Sequence, residues 1–198
     1  PDTLDSINSL GALLYKQVKL GEAEPLYREA LEVRRRTLGD EHPATLISIS
    51  NLGGLFWAQG KYDDAEPLMR EALEVQRRTL GDEHPSTLYS ISNLGTLFKA
   101  QGKYDDAEPL LREALEVRRR TLGDEHPDTL DSIHNLGALL YNQGKHDDAE
   151  PLMREALEVR RRKLGDEHPK TLEAKRNLDA VLSKLKEAET PPTEDSDG

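Results

Sequence analysis

The string Gly-Asp-Glu-His-Pro recurs at Gly39, Gly81, Gly123 and Gly165, and successive copies always stand 42 residues apart. An unbroken period of this length restricts the chain to repeat architectures, in which each unit buries its apolar face against its neighbours. Counting from the prolines Pro1, Pro43, Pro85 and Pro127 gives four complete units, at 1–42, 43–84, 85–126 and 127–168. Pro169 opens a fifth that stops after one helix, at 169–188.

Each complete unit reads as two helices. In the second, Leu46, Ile49, Leu52, Leu55 and Phe56 follow helical spacing, with Pro43 at a first-turn position where its missing N–H costs nothing. This is helix A. Gln59-Gly60-Lys61-Tyr62 breaks it, and Asp63-Asp64-Ala65-Glu66 predicts an acidic cap before a first-turn Pro67. Helix B then carries Ala65, Leu68, Ala72, Leu73 and Val75 inward and ends in Arg77 and Arg78 before Gly81. The first unit has Val18, Leu20 and Gly21 where the others have Gly, Tyr or His, and Asp, so its A-to-B turn is expected to differ. Two helices fill each unit and leave no room for a strand.

The composition agrees with a thin, extended helical body: 33% of residues are charged and 35% hydrophobic. Cysteine is absent, which removes thiolate chemistry. A formal net charge of −11 opposes binding to phosphate backbones and anionic membranes, so neither nucleic acid nor membrane is expected as a partner. No window approaches the roughly 18 consecutive apolar residues of a membrane span. Cytoplasm is the expected location.

Asn93-Leu94-Gly95, Tyr104, Ala107 and Ala114 stand at the offsets of the tetratricopeptide consensus. The longer unit, with Gln101-Gly102-Lys103-Tyr104, Ala107-Glu108-Pro109-Leu110 and the Leu122-Gly123 to His126-Pro127 junction, resembles the repeats of the kinesin light chain family. The resemblance covers residues 1 to about 188 and implies an all-α fold: a right-handed superhelical solenoid of helix-turn-helix repeats with a C-terminal capping helix. It also implies a concave groove lined by the A helices, where peptides dock.

The second and third units differ at only six positions, 44, 47, 54, 57, 69 and 76. Three of these, Ile47/Tyr89, Gly54/Thr96 and Trp57/Lys99, share the face of helix A not used by the leucine and isoleucine core. Free drift would change helix B as often, so this face is expected to carry selectivity. The candidate groove residues in the first three units are Asp5, Asn8, Tyr15, Lys16, Ile47, Ser50, Asn51, Trp57, Tyr89, Asn93, Thr96 and Lys99. The fourth unit adds Asp131, His134, Asn135, Tyr141 and Asn142. Aromatic anchors supply contact area at low entropy cost. Asn51, Asn93, Asn135 and Asn177 share one offset and would form a ladder for a peptide main chain; the alternative is an amide that bonds only its own scaffold.

Other signals look chemical. His42, His84, His126 and His168 each follow Asp-Glu, but ligands of one ion must converge, and copies a repeat apart do not. They are read as caps before proline. Arg34-Arg35-Arg36, Arg118-Arg119-Arg120 and Arg160-Arg161-Arg162 follow Glu32, Glu116 and Glu158, which predicts intrahelical ion pairs. No phosphate loop, nucleophile elbow or carboxylate pair stands outside the repeating scaffold, so neither enzyme activity nor a cofactor or metal is expected.

At the end of the array Lys175 and Asp179 replace the core isoleucine and the helix A glycine, as suits a cap with a polar outer face. Residues 189–198 are acidic and apolar-poor and are expected to be disordered. The start at Pro1, in mid-pattern, suggests a piece of a longer chain whose bare first repeat self-associates. The expected function is a protein-protein interaction scaffold that binds peptide segments of partner proteins. The alternative is a structural or regulatory repeat region of a larger protein.

Overall fold

The computed structural model describes residues 2–189, and the regular secondary structure among them is entirely helical. The first five helices are α1 (Asp2–Lys16), α2 (Leu20–Leu38), α3 (Pro43–Ala58), α4 (Tyr62–Leu80) and α5 (Pro85–Ala100). The remainder are α6 (Tyr104–Leu122), α7 (Pro127–Asn142), α8 (His146–Leu164) and α9 (Pro169–Glu189). They group into two compact units divided between Lys103 and Tyr104. In the first, each of α1 to α5 packs on the next; in the second, α6 to α9 do the same.

The junction prolines open α3, α5, α7 and α9, and the histidine before each is the cap that the sequence suggested. His42 Nδ1 accepts from the Ala44 N–H at 3.1 Å, and His84, His126 and His168 repeat the bond with Ser86, Asp128 and Lys170. One orphan amide at each helix start is thereby satisfied.

The A-to-B turn is set by main-chain bonds. Gly60 takes a left-handed φ of 73°, and the Lys61 N–H donates to the Phe56 carbonyl at 2.8 Å across the end of α3. The first repeat was expected to depart here and does not. Val18 adopts φ 61°, and the Lys19 N–H reaches the Leu14 carbonyl at 2.9 Å. The hydrogen-bonded turn outweighs the preference of a β-branched residue.

A second correction concerns the start of helix B. α4 begins at Tyr62, its N-cap Lys61 makes no side-chain cap bond, and Pro67 lies inside the helix instead of in its first turn. Asp63 and Asp64 act as first-turn charges that complement the helix dipole. The turn at Gly60 already aims the chain, so no acidic cap is required. The carbonyl that Pro67 leaves without a helical donor belongs to Asp63, an exposed residue that water can reach.

The arginine runs also behave differently from the sequence reading. Arg34 is buried and donates to Asp5 Oδ1 at 2.6 Å, to Ser48 Oγ at 2.7 Å and to the Ala44 carbonyl at 3.1 Å. Arg118 reaches Ser132 Oγ at 2.6 Å, and Arg160 reaches Asp131 at 3.2 Å in its own repeat and the Lys170 carbonyl of the next unit at 3.4 Å. Arg35 and Arg119 pair with Glu71 and Glu155, each 36 residues on. These arginines stitch one repeat to the next and do not pair with Glu32, Glu116 or Glu158. A guanidinium has five donors, and the interface satisfies more of them than an exposed glutamate would.

The core of the first unit centres on Ile49, Leu55, Ile91 and Leu97, and that of the second on Ile133 and Leu139, all fully buried. Helix B approaches helix A closely at glycine: a Cβ on Gly53 would lie 3.3 Å from Met69 Cγ. In α9, Ala174, Leu178 and Val181 are buried, whereas Lys175 and Asp179 are exposed, as expected of a cap. The tail expected to be disordered lies outside the described residues beyond Glu189.

Candidate functional site

Within the first unit, α1, α3 and α5 bring part of the expected groove together around an open cleft of about 380 Å³. Seven predicted residues line it: Tyr15, Lys16, Ser50, Asn51, Trp57, Tyr89 and Asn93. Helical spacing places them: Ser50, Asn51, Gly54 and Trp57 occupy successive turns of one face of α3. That face is opposite to the one buried by Ile49, Leu52 and Phe56.

Ala12, Tyr27, Gly54, Met69, Ala72 and Ser90 also line the cleft and were not among the expected site residues. Tyr27, Met69 and Ala72 come from helix B and form the base between the A helices. Gly54 and Met69 gave a signal in the sequence, as positions at which otherwise matching units differ. Burial pushes the Tyr27 phenol above its ordinary pKa, so the ring lines the cleft as a neutral group.

The polar groups divide into those bonded within the scaffold and those available to a ligand. Asn51 Nδ2 donates to Asn8 Oδ1 at 3.0 Å, and Asn177 meets His134 Nδ1 at 3.2 Å. Two rungs of the asparagine ladder thus engage the preceding A helix. Asn93 makes no side-chain hydrogen bond among the described residues, although it borders the cleft. Its amide remains able to donate to a peptide carbonyl and accept from a peptide N–H.

Lys99 and Thr96 lie outside this cleft. Thr96 Oγ1 donates to the Ser92 carbonyl of its own helix at 2.7 Å. Lys99 is half-buried, and burial pulls its ammonium below its ordinary pKa. Ile47 and Tyr89 are exposed at 55% and 63%, which leaves both side chains accessible.

In the second unit, the predicted residues lie along α7. Asp131 is held by Arg160 at 3.2 Å and by Lys170 at 3.8 Å, so its charge is largely committed. Tyr141 packs against His146 with ring centroids 5.1 Å apart. Asn142 is exposed and Asn135 half-buried.

The lining groups of the cleft are mainly rings, amides, hydroxyls and apolar side chains, with Lys16 as the one charged group, and such a mixture suits recognition. Among the described residues, no three His, Asp or Glu side chains converge on a common metal position. No helix among the described residues is long and apolar enough to cross a membrane.

The tetratricopeptide repeat model matches residues 2–77, 48–120, 86–160 and 131–190 in overlapping segments. Among solved structures, the nearly identical repeats of a kinesin-light-chain-type protein of Podosopora anserina share 28% identity, with a TM-score of 0.83. The match covers 94% of this chain and 89% of that one. A point variant of the same protein matches at 28% identity and a TM-score of 0.84, covering 94% and 88%. BtubC (BKLC) from P. vanneervenii is 29% identical at a TM-score of 0.79, over 92% of this chain and 72% of its own. No match is found among curated protein sequences.

Proposed function

The chain belongs to the tetratricopeptide repeat family, an all-α class of repeat solenoid whose members generally serve as protein-interaction scaffolds, and from that premise we propose that it binds peptide segments of partner proteins along its A helices. The observation that carries this reading is the cleft of the first unit, where Tyr15, Trp57 and Tyr89 surround space that no side chain among the described residues of that unit fills. Rigid rings supply apolar area to a ligand, and the Asn93 side-chain amide supplies a donor and an acceptor for a peptide main chain. Catalysis forms no part of this proposal, since the lining offers recognition groups.

Trp57 is the only tryptophan and borders the cleft, so its fluorescence reports on occupancy directly. Peptides selected by display on the whole chain should shift Trp57 emission, and Tyr89→Ala or Asn93→Ala should weaken them at least tenfold with an unchanged circular dichroism spectrum. Failure of a broad library to yield any peptide that shifts Trp57 would reject the reading.

One observation favours the second reading, self-association. Leu10 and Leu13 of α1 are 48% and 52% exposed, whereas Leu55, Leu97 and Leu139, which share the offset of Leu13, are fully buried under a preceding helix B. Sedimentation across a hundredfold dilution tests it, and a constant monomer mass would exclude it.

A further inference from the structure

Glycine inside a helix requires a reason, since only proline is a poorer helix former. Gly11, Gly53 and Gly137 each have one. A Cβ added at these positions would lie 2.8 Å from Tyr27 Cε1, 3.3 Å from Met69 Cγ and 2.7 Å from Met153 Cε. The facing side chain of helix B leaves little or no room.

Gly54 has no such reason. A Cβ built on it meets nothing within 4 Å, and its backbone is ordinary helix in the middle of α3. The positions 42 residues away in either direction, and 84 onward, hold Ala12, Thr96 and Ala138, so the same offset accepts a side chain in every other complete repeat. Ala12, at the same offset, lines the cleft with a methyl group, whereas Gly54 leaves the wall beside Tyr15, Trp57 and Tyr89 without any side chain. A side chain there would project into open space.

The geometry points to Gly54 as a specificity-determining residue: its missing side chain keeps open a socket for one bulky, uncharged side chain of a bound peptide. This rests on the peptide-binding reading and adds what the peptide must carry. The chemistry of the lining selects the occupant. Three rings form the walls, with Met69 and Ala72 at the base, which favours a large apolar or aromatic group. None of the lining side chains is a carboxylate, so a cationic group would be desolvated without compensation. Lys16 is the single formal charge, and it is exposed; an anionic group would meet it only at the surface and would lose its hydration inside. Asn93, on the same lining, is placed to bond the peptide main chain.

The test uses side-chain surrogates on the whole, isotope-labelled chain, followed by nuclear magnetic resonance. N-acetyl-leucinamide and N-acetyl-tryptophanamide should give saturable shifts of the Trp57 indole and Gly54 amide signals, and N-acetyl-lysinamide should give none. Gly54→Thr, which places in α3 the residue found at Thr96, should weaken both neutral probes at least tenfold while melting no lower than the parent. Gly54→Ala should weaken them by less and melt higher.

Undiminished binding to Gly54→Thr overturns the inference, as does equal binding of the lysine probe or silence from both neutral probes. A lower melting temperature in both variants would make the glycine structural and overturn it as well. Peptides selected on the parent that bind Gly54→Thr equally well would refute the socket and leave the groove standing. Neutral probes that bind the parent and lose Gly54→Thr, in a chain that selects no peptide, would support the socket and reject the groove.

Discussion

Val18 is held in the left-handed region that glycine occupies in the other three A-to-B turns, and it is 78% exposed. A β-branched residue in that conformation gains nothing there from packing to offset the strain. Val18→Gly should therefore raise stability by about 1 kcal/mol, the usual cost of a left-handed L-residue less the added freedom of glycine when unfolded. Urea denaturation measures this, and a loss of stability would show that Val18 has an unrecognised role. A second residue-scale case is Gln76, which stands where the other complete repeats have Arg34, Arg118 and Arg160. Arg34 and Arg160 each bond an aspartate 29 residues earlier, and burial disfavours ionised Arg118 while the Asp128 and Asp131 charges work against that effect. The same flanking positions around Gln76 are Ile47 and Tyr89, so an arginine there would be buried without a carboxylate. Gln76→Arg should cost on the order of 2 kcal/mol, and Ile47→Asp in the same chain should recover most of it, as a double-mutant cycle would show. Part of the difference between these two repeats is thus a requirement of buried charge, separate from any ligand.

At the scale of elements, the repeats are joined by a recurring clamp. Glu24 of α2 receives Lys61 at 3.0 Å, Gln59 at 3.1 Å and Arg28 at 2.9 Å, and both cations lie over the Phe56 ring. Glu66 with Lys103 repeats the arrangement over Phe98, and Glu108 with Lys145 follows in the second unit. The lysine bond is the main cause that holds Glu24 and Glu108 down at about 2, from an ordinary 4.5. A depressed carboxyl contributes stability that is fully present above the unfolded value and is lost as the pH falls through the folded one. Stability should decline between pH about 4.5 and about 2, and Glu24→Gln should make that decline shallower; equal slopes would remove Glu24 from the account. Neither clamp nor arginine stitch was legible in the sequence. Their partners lie 35 to 37 residues apart, or 10 to 29 for the buried arginines, and local spacing offers nearer glutamates instead. The histidine caps were legible because the bond spans two residues.

The fold of the whole molecule was readable because a period is a property of the whole chain: one register places each core isoleucine and each junction proline. The cleft was readable only in part, since it depends on what is missing at Gly54 and on which helix B side chains form its base. The same nearest-neighbour logic predicts how the molecule opens. In the first unit α3 packs between α2 and α4, whereas α1 packs on α2 with Leu10 and Leu13 about half exposed. Stability in such arrays is a sum over repeats and their interfaces, so the element with fewer interfaces opens first. Amides of α1 should exchange with solvent at least about tenfold faster than those of α3 at low micromolar concentration. If a second copy covers α1, its protection will rise with concentration, and Leu10→Lys with Leu13→Glu will abolish the rise without touching α3. Equal protection of α1 and α3 in the dilute chain would contradict the interface argument, because it would mean that the exposed leucines cost α1 nothing.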